Sequence, residues 1–476
     1  MSDRQADRGA LAPLRMTPGE MRGLGYRAVD ELVGHLAGLR EAAVARPCGR
    51  AELERMFATP FPEGPGDPGE VLATVFAQAR DTNTRTDHPR FFAYVPGPSN
   101  YVSALAEFVA AGLNVHACTW VLGPGAAVVE RRVVGWLREV CGLPEGGGGL
   151  LLSGGTMASL VAVHAARVAR PGPAQVVYVT AQTHAAIRRG LRFLGFAESR
   201  VRWVGLDADH RMDPRALARA LERDRAAGRT PCCVIATAGT TSTGAVDPLE
   251  EIAGLCERAG SWLHVDGAYG AAAALAGAPE LAGLDRADSI ALDPHKWLFQ
   301  PYESGCLLVR DERALPAAYA LNAEYLRETR LGDGPVNLYD HGPELSRGFR
   351  ALKLWMSLRV YGVAAFRDAI AHGIALARHA EAELSARPAW EVVTPARLGI
   401  VTFRPRRPGL PPAALDALTR AIAVRCHEAG FALVLTTELA GRPVLRLCAI
   451  NPETTPGDVT ATLAHLESLA QSHPAE

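Results

Sequence analysis

Seven short apolar runs between residues 91 and 355 limit the folds that this chain can adopt. They alternate with stretches of helical periodicity and comprise Leu150–Leu152, Gln175–Val179, Val201–Leu206, Cys233–Thr237, Trp262–Asp266, Ser289–Leu292 and Gly305–Val309. This alternation predicts an α/β fold, in which a mostly parallel sheet is covered by helices on both faces. Ligands of such open sheets bind outside the carboxyl ends of the strands, so residues that follow these runs are the first site candidates.

The segments on either side of this region have a different character. Thr17-Pro18-Gly19-Glu20 is typical of a capping box with proline at the first helical position, and it predicts an amphipathic helix. After Trp355, helical stretches mix with short strand-like runs, which indicates a small α+β domain. A chain of 476 residues is too long for one compact core. We therefore predict a helical N-terminal segment over 1–90, a large domain over 91–355 and a small domain over 356–476.

The overall composition narrows the classes of partner. Lys plus Arg number 50 and Asp plus Glu number 51, so there is no strong basic field that would favour nucleic acid. The nine cysteines include no C-x-x-C spacing, and their odd number fits poorly with a complete disulfide framework. No apolar run reaches the length of about 18 residues that a membrane span needs. We expect a cytoplasmic protein that acts on a small molecule, without metal, nucleic acid or membrane partners.

Lys296 is the residue most indicative of chemistry. It ends the tetrad Asp293-Pro294-His295-Lys296 directly after one apolar run, and another run finishes in the carboxylate of Asp266. A lysine amine near such an acid is typical of a Schiff-base site, in which the acid pairs with a pyridinium nitrogen. The simpler alternatives are a surface lysine at a strand exit, and an aspartate that caps the turn after its strand.

A glycine-rich segment follows the first apolar run. Ser153-Gly154-Gly155-Thr156 leads into a helical stretch, so backbone N–H groups at the helix start and the Thr156 hydroxyl can bind a phosphate. Neither a G-K-[ST] loop nor a G-x-G-x-x-G fingerprint is present, which disfavours ATP and NAD. Alone, the segment could be an ordinary glycine-rich turn. Together with Asp266 and Lys296 it meets the three demands of pyridoxal phosphate: a phosphate cradle, an amine and an acid.

Several motifs occur in an order that resembles the pyridoxal-phosphate-dependent group II amino-acid decarboxylases, and among them the branch that acts on aromatic L-amino acids. The resemblance runs from about Thr17 to Leu469. Its motifs are His88-Pro89-Arg90-Phe91-Phe92-Ala93-Tyr94, Ser153-Gly154-Gly155-Thr156, Gln182-Thr183-His184, Ala238-Gly239-Thr240-Thr241, His264-Val265-Asp266-Gly267-Ala268-Tyr269, Asp293-Pro294-His295-Lys296-Trp297 and Phe349-Arg350-Ala351-Leu352-Lys353-Leu354-Trp355. It implies the type I pyridoxal-phosphate fold, which is aspartate aminotransferase-like, and a homodimer with active sites at the interface.

The resemblance also implies roles for individual residues. Lys296 would carry the cofactor, Asp266 would pair with the pyridine nitrogen, and Ala268 would pack against the ring. His184 would stack on the opposite face of the ring. Its position alone instead predicts a surface histidine at the start of a helix. The remaining cofactor contacts would come from Gly155, Thr156, Thr241, Asp293 and His295.

Tyr325 is the residue most diagnostic of the reaction outcome. In Ala323-Glu324-Tyr325-Leu326-Arg327 it matches a tyrosine on a mobile loop of the family, where it would protonate the substrate carbon after CO2 leaves. Tyr319 is the nearest competitor for this role. The implied reaction converts an aromatic L-amino acid, such as Trp, Tyr, Phe or a derivative, to its amine and CO2.

The substrate-binding residues depart from the family pattern. Tyr94 and Pro96 match it, but Val95 and Gly97 replace bulkier residues, and Cys118 stands where an aromatic is contributed across the dimer interface. The substitutions predict a differently shaped pocket for a larger, substituted or even non-aromatic side chain. Two alternative reactions keep the cofactor: oxidative decarboxylation with deamination to an aldehyde, and β-elimination. A catalytically silent protein that binds pyridoxal phosphate is the alternative from another class.

Overall fold

The computed structural model describes residues 14–95, 97–321, 324 and 336–472. Pro96 and Tyr325 therefore lie outside the described residues. The helices are α1 (Pro18–Ala37), α2 (Arg50–Met56), α3 (Pro68–Thr82), α4 (Tyr101–Leu113), α5 (Pro124–Val140), α6 (Gly155–Ala169), α7 (Ala185–Phe193), α8 (Pro214–Ala226), α9 (Leu249–Ala259), α10 (Ala314–Tyr319), α11 (Ala351–Ala386), α12 (Pro412–Ala429) and α13 (Pro456–Gln471). The strands are β1 (Gly148–Leu152), β2 (Val176–Thr180), β3 (Val201–Val204), β4 (Pro231–Thr237), β5 (Trp262–Asp266), β6 (Ser289–Leu292), β7 (Gly305–Val309), β8 (Trp390–Arg397), β9 (Ile400–Pro405), β10 (Leu435–Leu439) and β11 (Arg442–Cys448).

The N-terminal helix begins as its sequence predicts. The Thr17 hydroxyl accepts a hydrogen bond from Glu20 N, and the Glu20 carboxylate accepts one from Thr17 N, which closes the capping box. Helix α1 buries none of its residues against the rest of the chain, although it carries apolar side chains. Met21, Tyr26, Val29 and Val33 are exposed, so packing within this chain does not account for these apolar side chains.

A seven-stranded sheet forms the centre of the molecule, in the order β1-β7-β6-β5-β4-β2-β3. Each predicted run lies on one strand, so the predicted α/β fold with a mostly parallel, helix-covered sheet is confirmed. Strands β2 to β6 pair in parallel, whereas β7 is antiparallel to both of its neighbours. The predicted run Val201–Leu206 is shorter as a strand because pairing with β2 ends at Val204. Most strand residues are fully buried, as expected for a sheet covered on both faces.

The strand order places the candidate residues side by side. Strand β5 lies between β4 and β6, with Thr237 opposite Asp266 and Asp266 opposite Ala291 in the register. The turn that carries Asp293 and Lys296 follows directly after β6. Because these three strands are parallel, their carboxyl ends meet at one edge, and the polar residues that follow them converge there.

A second sheet lies in the C-terminal part, where β10-β11-β9-β8 pair in antiparallel order and pack with α11, α12 and α13. This is the small α+β unit that the sequence predicts. Helix α11 runs across the predicted domain boundary at 355–356, and its one break is at Gly362, where φ is +74°. The boundary therefore remains a prediction. Among the described residues, no helix is both long and apolar enough to cross a membrane.

Candidate active site

A cavity of about 410 Å³ opens at the carboxyl ends of β4, β5 and β6. It is lined by nine of the predicted site residues, namely Gly155, Thr156, His184, Thr241, Asp266, Ala268, Asp293, His295 and Lys296. Residues from five separate stretches of sequence therefore surround one space. Its size is sufficient for a small-molecule ligand.

The Lys296 amine is held by the turn that precedes it. Lys296 N donates to the Asp293 carbonyl oxygen at 2.9 Å, and Nζ lies 2.9 Å from Asp293 Oδ2. Burial lowers the pKa of Lys296, but the nearby carboxylates of Asp293 and Asp266 raise it more, so the net pKa is raised. As a free amine, Lys296 is therefore a protonated group that must lose its proton before it can attack a carbonyl carbon.

Asp266 ends strand β5 and is only 8% exposed. Its Oδ1 accepts a hydrogen bond from Ala268 N at 3.2 Å, so the carboxylate also braces the following turn, as the simpler interpretation expects. Burial raises the pKa of Asp266, and the positive charge of Lys296 only partly opposes this shift. A cation bound beside Asp266 would favour its charged form, which is what pairing with a pyridinium nitrogen requires.

The glycine-rich segment forms a tight cradle at the start of α6. Gly154 stands at the N-cap without a side-chain hydrogen bond to the first turn, which leaves helix N–H groups available to an anion. A Cβ at Gly155 would lie 2.8 Å from Ala268 Cβ and 3.1 Å from Asp293 Oδ2. Glycine is therefore required where the backbone approaches the two loops that carry the acid and the amine.

Two buried polar atoms of the cavity have unused hydrogen-bonding capacity. Asp293 Oδ1 and Thr237 Oγ1 have no hydrogen-bond partner among the described residues, although both residues line the cavity. Orphaned buried polar atoms are rare in proteins and are typical of a site that binds a polar group. With the free helix N-terminus, the amine and the carboxylate, they fit a ligand that combines an anion, a carbonyl and a ring nitrogen, as pyridoxal phosphate does.

The two histidines of the cavity differ in environment. His295 is buried, its Nδ1 accepts a hydrogen bond from Ser304 N at 3.1 Å, and Nε2 lies 3.6 Å from Asp293 Oδ2. Burial lowers the pKa of His295, which Asp293 only partly offsets, so its imidazole is neutral near pH 7. His184 is exposed at the mouth of the cavity and caps α7, with Nδ1 accepting from Ala186 N at 3.3 Å. It therefore both starts a helix and faces the ligand space.

Among the described residues, the predicted substrate contacts Tyr94, Gly97 and Cys118 do not line this cavity in a single chain. Cys118 is buried against Tyr339, with its Sγ 3.0 Å from His116 Nδ1. Tyr94 is 65% exposed. A Cβ at Gly97 would overlap the Lys296 carbonyl oxygen, so the glycine is required there for backbone reasons, and extra pocket space at this position stays a prediction. Gly97 marks a close approach of two backbone segments, and its N–H donates to the His295 carbonyl oxygen at 3.3 Å.

The small sheet braces the cavity through two long-range contacts that the sequence analysis missed. Arg446 of β11 donates from Nε to the Thr241 carbonyl oxygen at 2.5 Å and from Nη1 to the Tyr94 carbonyl oxygen at 2.8 Å. Tyr269 stacks on Trp297 with ring centroids 4.9 Å apart, and its hydroxyl accepts from Gly399 N at 2.7 Å. No local pattern marks Arg446 and Tyr269, because their hydrogen-bond partners lie more than 100 positions away.

Other lining residues were also absent from the sequence-based candidates: Met157, Gln182, Ala186, Ile187, Thr237, Gly239 and Tyr269. For Thr237 a signal existed, because it ends a predicted run in the same way as Asp266 does. The chain also contains only two lysines, Lys296 and Lys353. Lys353 is 3% exposed and is engaged with Glu107 and with the Glu303 carbonyl oxygen. Lys296 is thus the one lysine that opens on the cavity.

Comparison with known proteins gives a consistent result. Residues 77–406 match the pyridoxal-dependent decarboxylase conserved domain. The chain is 42% identical to the aromatic-L-amino-acid decarboxylase of Bacillus atrophaeus, covering 96% of this chain and 97% of that protein. It is 32% identical to the phenylacetaldehyde synthase of Petunia hybrida, with coverage of 82% and 80%. Among solved structures, Oryza sativa TDC with PLP and tryptamine has a TM-score of 0.89 at 29% identity, covering 97% of this chain and 99% of that one.

Proposed function

This chain belongs to the pyridoxal-dependent decarboxylases, and from that premise we propose that it converts an aromatic L-amino acid to the corresponding amine and CO2. The observation that carries the proposal is the convergence of Lys296, Asp266 and the Gly155 cradle on one cavity. Each element is weak evidence alone, because lysines at strand exits and glycine-rich turns are common. Their arrangement around one space matches what the cofactor of this family requires.

The residues around the cavity divide the work of binding and catalysis. When bound, pyridoxal phosphate supplies an electron sink for the electron pair that the departing carboxylate leaves on the substrate carbon. Lys296 Nζ would hold the cofactor's carbonyl carbon, and the carboxylate of Asp266 would keep a proton on the ring nitrogen. The first turn of α6, with the Thr156 hydroxyl, would bind the phosphate, and His184 would pack against the ring.

The proton donor that completes the reaction is proposed to be Tyr325. Its loop lies outside the described residues, so the support comes from its competitor. The Tyr319 hydroxyl donates to the Val161 carbonyl oxygen at 3.1 Å, and its ring contacts His164 with centroids 5.0 Å apart. Burial also raises the pKa of Tyr319. Tyr319 is therefore committed to α6 and does not line the cavity, which favours Tyr325 as the donor.

Covalent labelling tests the cofactor site with little ambiguity. Reduction of the purified holoenzyme with borohydride, followed by peptide mass mapping, should place the pyridoxyl label on Lys296. Lys353 is the internal control, since it is the other lysine of the chain and is already paired. A label on Lys353, or no label in a protein that retains bound cofactor, would overturn the assignment. A Lys296→Ala variant should keep the fold but lose the label and the activity.

Product analysis decides between the two reactions that the relatives support. The resemblance to an aromatic-L-amino-acid decarboxylase favours an amine, and the resemblance to a phenylacetaldehyde synthase keeps an aldehyde as the second candidate. Incubation with Trp, Tyr, Phe, Dopa and several non-aromatic amino acids, followed by measurement of amine, aldehyde, ammonia and peroxide, separates them. Amine and CO2 in equal amounts without peroxide is the expected result. Aldehyde with peroxide would establish the second candidate, and turnover of only non-aromatic substrates would refute the substrate class.

A homodimer is proposed because two helices expose apolar faces. Helix α1 buries none of its residues and exposes Tyr26 by 68%, and α4 exposes Phe108 by 69% and Leu113 by 65%. A second copy of the chain that covers both helices would remove this surface from water. It would also bring residues of the partner to the mouth of the cavity. Light scattering should give twice the monomer mass, and a fully active monomer would contradict the proposal.

A cytoplasmic location is proposed from the state of the thiols. All nine cysteines are free, and eight of them are buried. Free thiols are typical of reducing compartments. Cell fractionation with an antibody against the chain would test this assignment.

A further inference from the structure

A buried hydrogen-bond cluster lies one layer beneath the cavity and has no role in the reaction described so far. It consists of Ser159, Trp262, His264 and Ser289, each exposed by 5% or less. His264 Nε2 lies 3.1 Å from Ser159 Oγ, and Nδ1 lies 2.9 Å from Ser289 Oγ. Trp262 Nε1 donates to the same Ser289 hydroxyl at 2.8 Å. We refer to these four residues as the histidine cluster.

The histidine cluster joins the three elements that carry the glycine cradle, the carboxylate of Asp266 and the amine of Lys296. Ser159 lies on α6, four residues after Gly155, so it is about one turn from the cradle. His264 precedes Asp266 by two residues on β5, and side chains two apart on a strand point to the same face. Ser289 begins β6, which leads to Asp293 and Lys296. One imidazole therefore connects cradle, acid and amine.

The contact between α6 and the sheet combines apolar packing with a hydrogen bond to this imidazole. Besides Ser159, the buried face of α6 carries only apolar side chains: Ala158, Val161, Ala162, Val163, Ala165 and Ala166. Apolar contacts have little directional preference, which a hydrogen bond adds. Among the described residues, Ser159–His264 is the only side-chain hydrogen bond that joins α6 to the central sheet. A directional bond at this point fixes the helix along its axis.

Burial also determines the form in which His264 acts. It lowers the pKa of His264 to about 3, so the imidazole is neutral near pH 7. A neutral imidazole has one donor and one acceptor nitrogen, and a serine hydroxyl can serve either. Both contacts are therefore satisfied in either tautomer, and proton transfer is not required of the cluster. Its role is geometric.

We propose that His264 is a positioning residue that, through Ser159 and Ser289, sets the distance between the phosphate cradle on α6 and the carboxylate of Asp266. The proposal rests on the proposed cofactor site. Pyridoxal phosphate is a rigid ring with a short phosphate arm, so its two ends bind well together only when cradle and acid are correctly spaced. The histidine cluster would thereby determine cofactor affinity and ring orientation without touching the cofactor.

Ser159→Ala is the sharpest variant, because it removes the bond to α6 and leaves His264–Ser289 in place. The matched control is Thr402→Val, which breaks a buried hydroxyl contact of 2.7 Å between Thr394 and Thr402 in the small sheet. For each holoenzyme, cofactor retention after serial dilution gives the dissociation constant, visible circular dichroism reports ring orientation, and thermal melting reports stability. Ser159→Ala should weaken cofactor binding about tenfold and change the dichroism, whereas Thr402→Val should change only the melting temperature.

Two further variants of His264 separate positioning from a general loss of packing. His264→Phe keeps a ring but no hydrogen bond, and it should lose at least as much affinity as Ser159→Ala. His264→Gln retains an amide near the position of Nε2 and should recover part of the loss. Unchanged affinity and dichroism in both Ser159→Ala and His264→Phe would overturn the proposal. A wild-type protein that carries no pyridoxyl label on Lys296 would instead refute the proposed function, so the two failures are distinct.

Discussion

Replacement of Gly155 by alanine adds one methyl group at the point where the cradle meets the rest of the site. That methyl would lie 2.8 Å from Ala268 Cβ and 3.1 Å from Asp293 Oδ2. Ordinary carbon–carbon contacts are about 3.5–4.0 Å, so the first contact is too close by roughly 1 Å. Either the start of α6 or the loops that carry Ala268 and Asp293 must move. Asp293 Oδ2 is also 2.9 Å from Lys296 Nζ, so the displacement reaches the amine.

The expected loss of cofactor affinity follows from two opposing contributions to the free energy. Overpacking of this kind costs about 1–3 kcal/mol, while alanine in a helix gains about 0.5–1 kcal/mol over glycine. Without cofactor the cradle can relax, so the free protein should melt within a few degrees of wild type. Cofactor binding requires the cradle, Asp293 and Lys296 to be in their positions at the same time, so the bound state cannot relax in this way. The strain that remains after the helix gain is subtracted is about 1–2 kcal/mol, and it should weaken cofactor binding roughly 5- to 30-fold.

Cofactor retention on dilution of the holoenzyme, followed by absorbance of the bound form, measures this effect. Gly146→Ala is the matched control, because a Cβ at Gly146 has no other atom within 4 Å and lies in the loop before β1. The control should bind the cofactor as wild type does. Equal affinity of Gly155→Ala and wild type would show that the cradle is not as tight as its contacts indicate, and the phosphate assignment would have to be abandoned.

Three other perturbations test separate parts of the structure. Asp224 is 3% exposed and accepts from Arg202 and Arg229 at 2.9 Å. Burial raises the pKa of its carboxyl, but these bonds outweigh burial, so the net pKa is lowered. Asp224→Asn should therefore destabilise the protein by about 1.5–3 kcal/mol in denaturant titrations at pH 7. Because a lowered folded pKa contributes stability above the unfolded pKa of about 3.9, the difference from wild type should shrink as the pH falls below 4, and a constant difference would contradict the ion pair. Phe108→Glu should shift the mass in light scattering from dimer towards monomer and reduce activity, whereas an unchanged dimer would place the interface elsewhere. Tyr325→Phe should divert product from amine to aldehyde and peroxide; continued release of amine alone would remove this residue from proton transfer.

Local sequence pattern predicted most secondary structure because strands and helices differ in periodicity. Each apolar run became a strand, with Trp262–Asp266, Ser289–Leu292 and Gly305–Val309 matching the observed bounds. The capping box at Thr17 also formed as expected. The direction of each strand is harder to predict from sequence, since nothing within Gly305–Val309 indicates that this strand runs antiparallel to both of its neighbours. Its direction depends on how the chain returns to the sheet after the turn that carries Lys296.

For the candidate site, too, the sequence predicts some residues and does not reveal others. Lys296 and Asp266 can be recognised because one ends the short tetrad that follows an apolar run and the other ends such a run, and the low lysine content makes Lys296 more distinctive still. Thr237 occupies a position equivalent to that of Asp266 but carries a common polar side chain, so the sequence alone gives no reason to select it. At Gly97 the sequence predicts extra pocket space, whereas the structure shows two backbone segments in contact there. A glycine alone does not reveal which of these reasons applies.

By itself, the amino-acid sequence determined which segments are strands or helices and which chemical groups stand at their ends, because periodicity, capping and turn preferences act within a few residues. Only the tertiary structure decided which of those groups meet. The position of β5 between β4 and β6 puts Asp266 beside Lys296, and His264 contacts Ser159 across 105 positions of sequence. Such contacts arise when the whole chain packs at once, and no short window of sequence contains the energy that selects them.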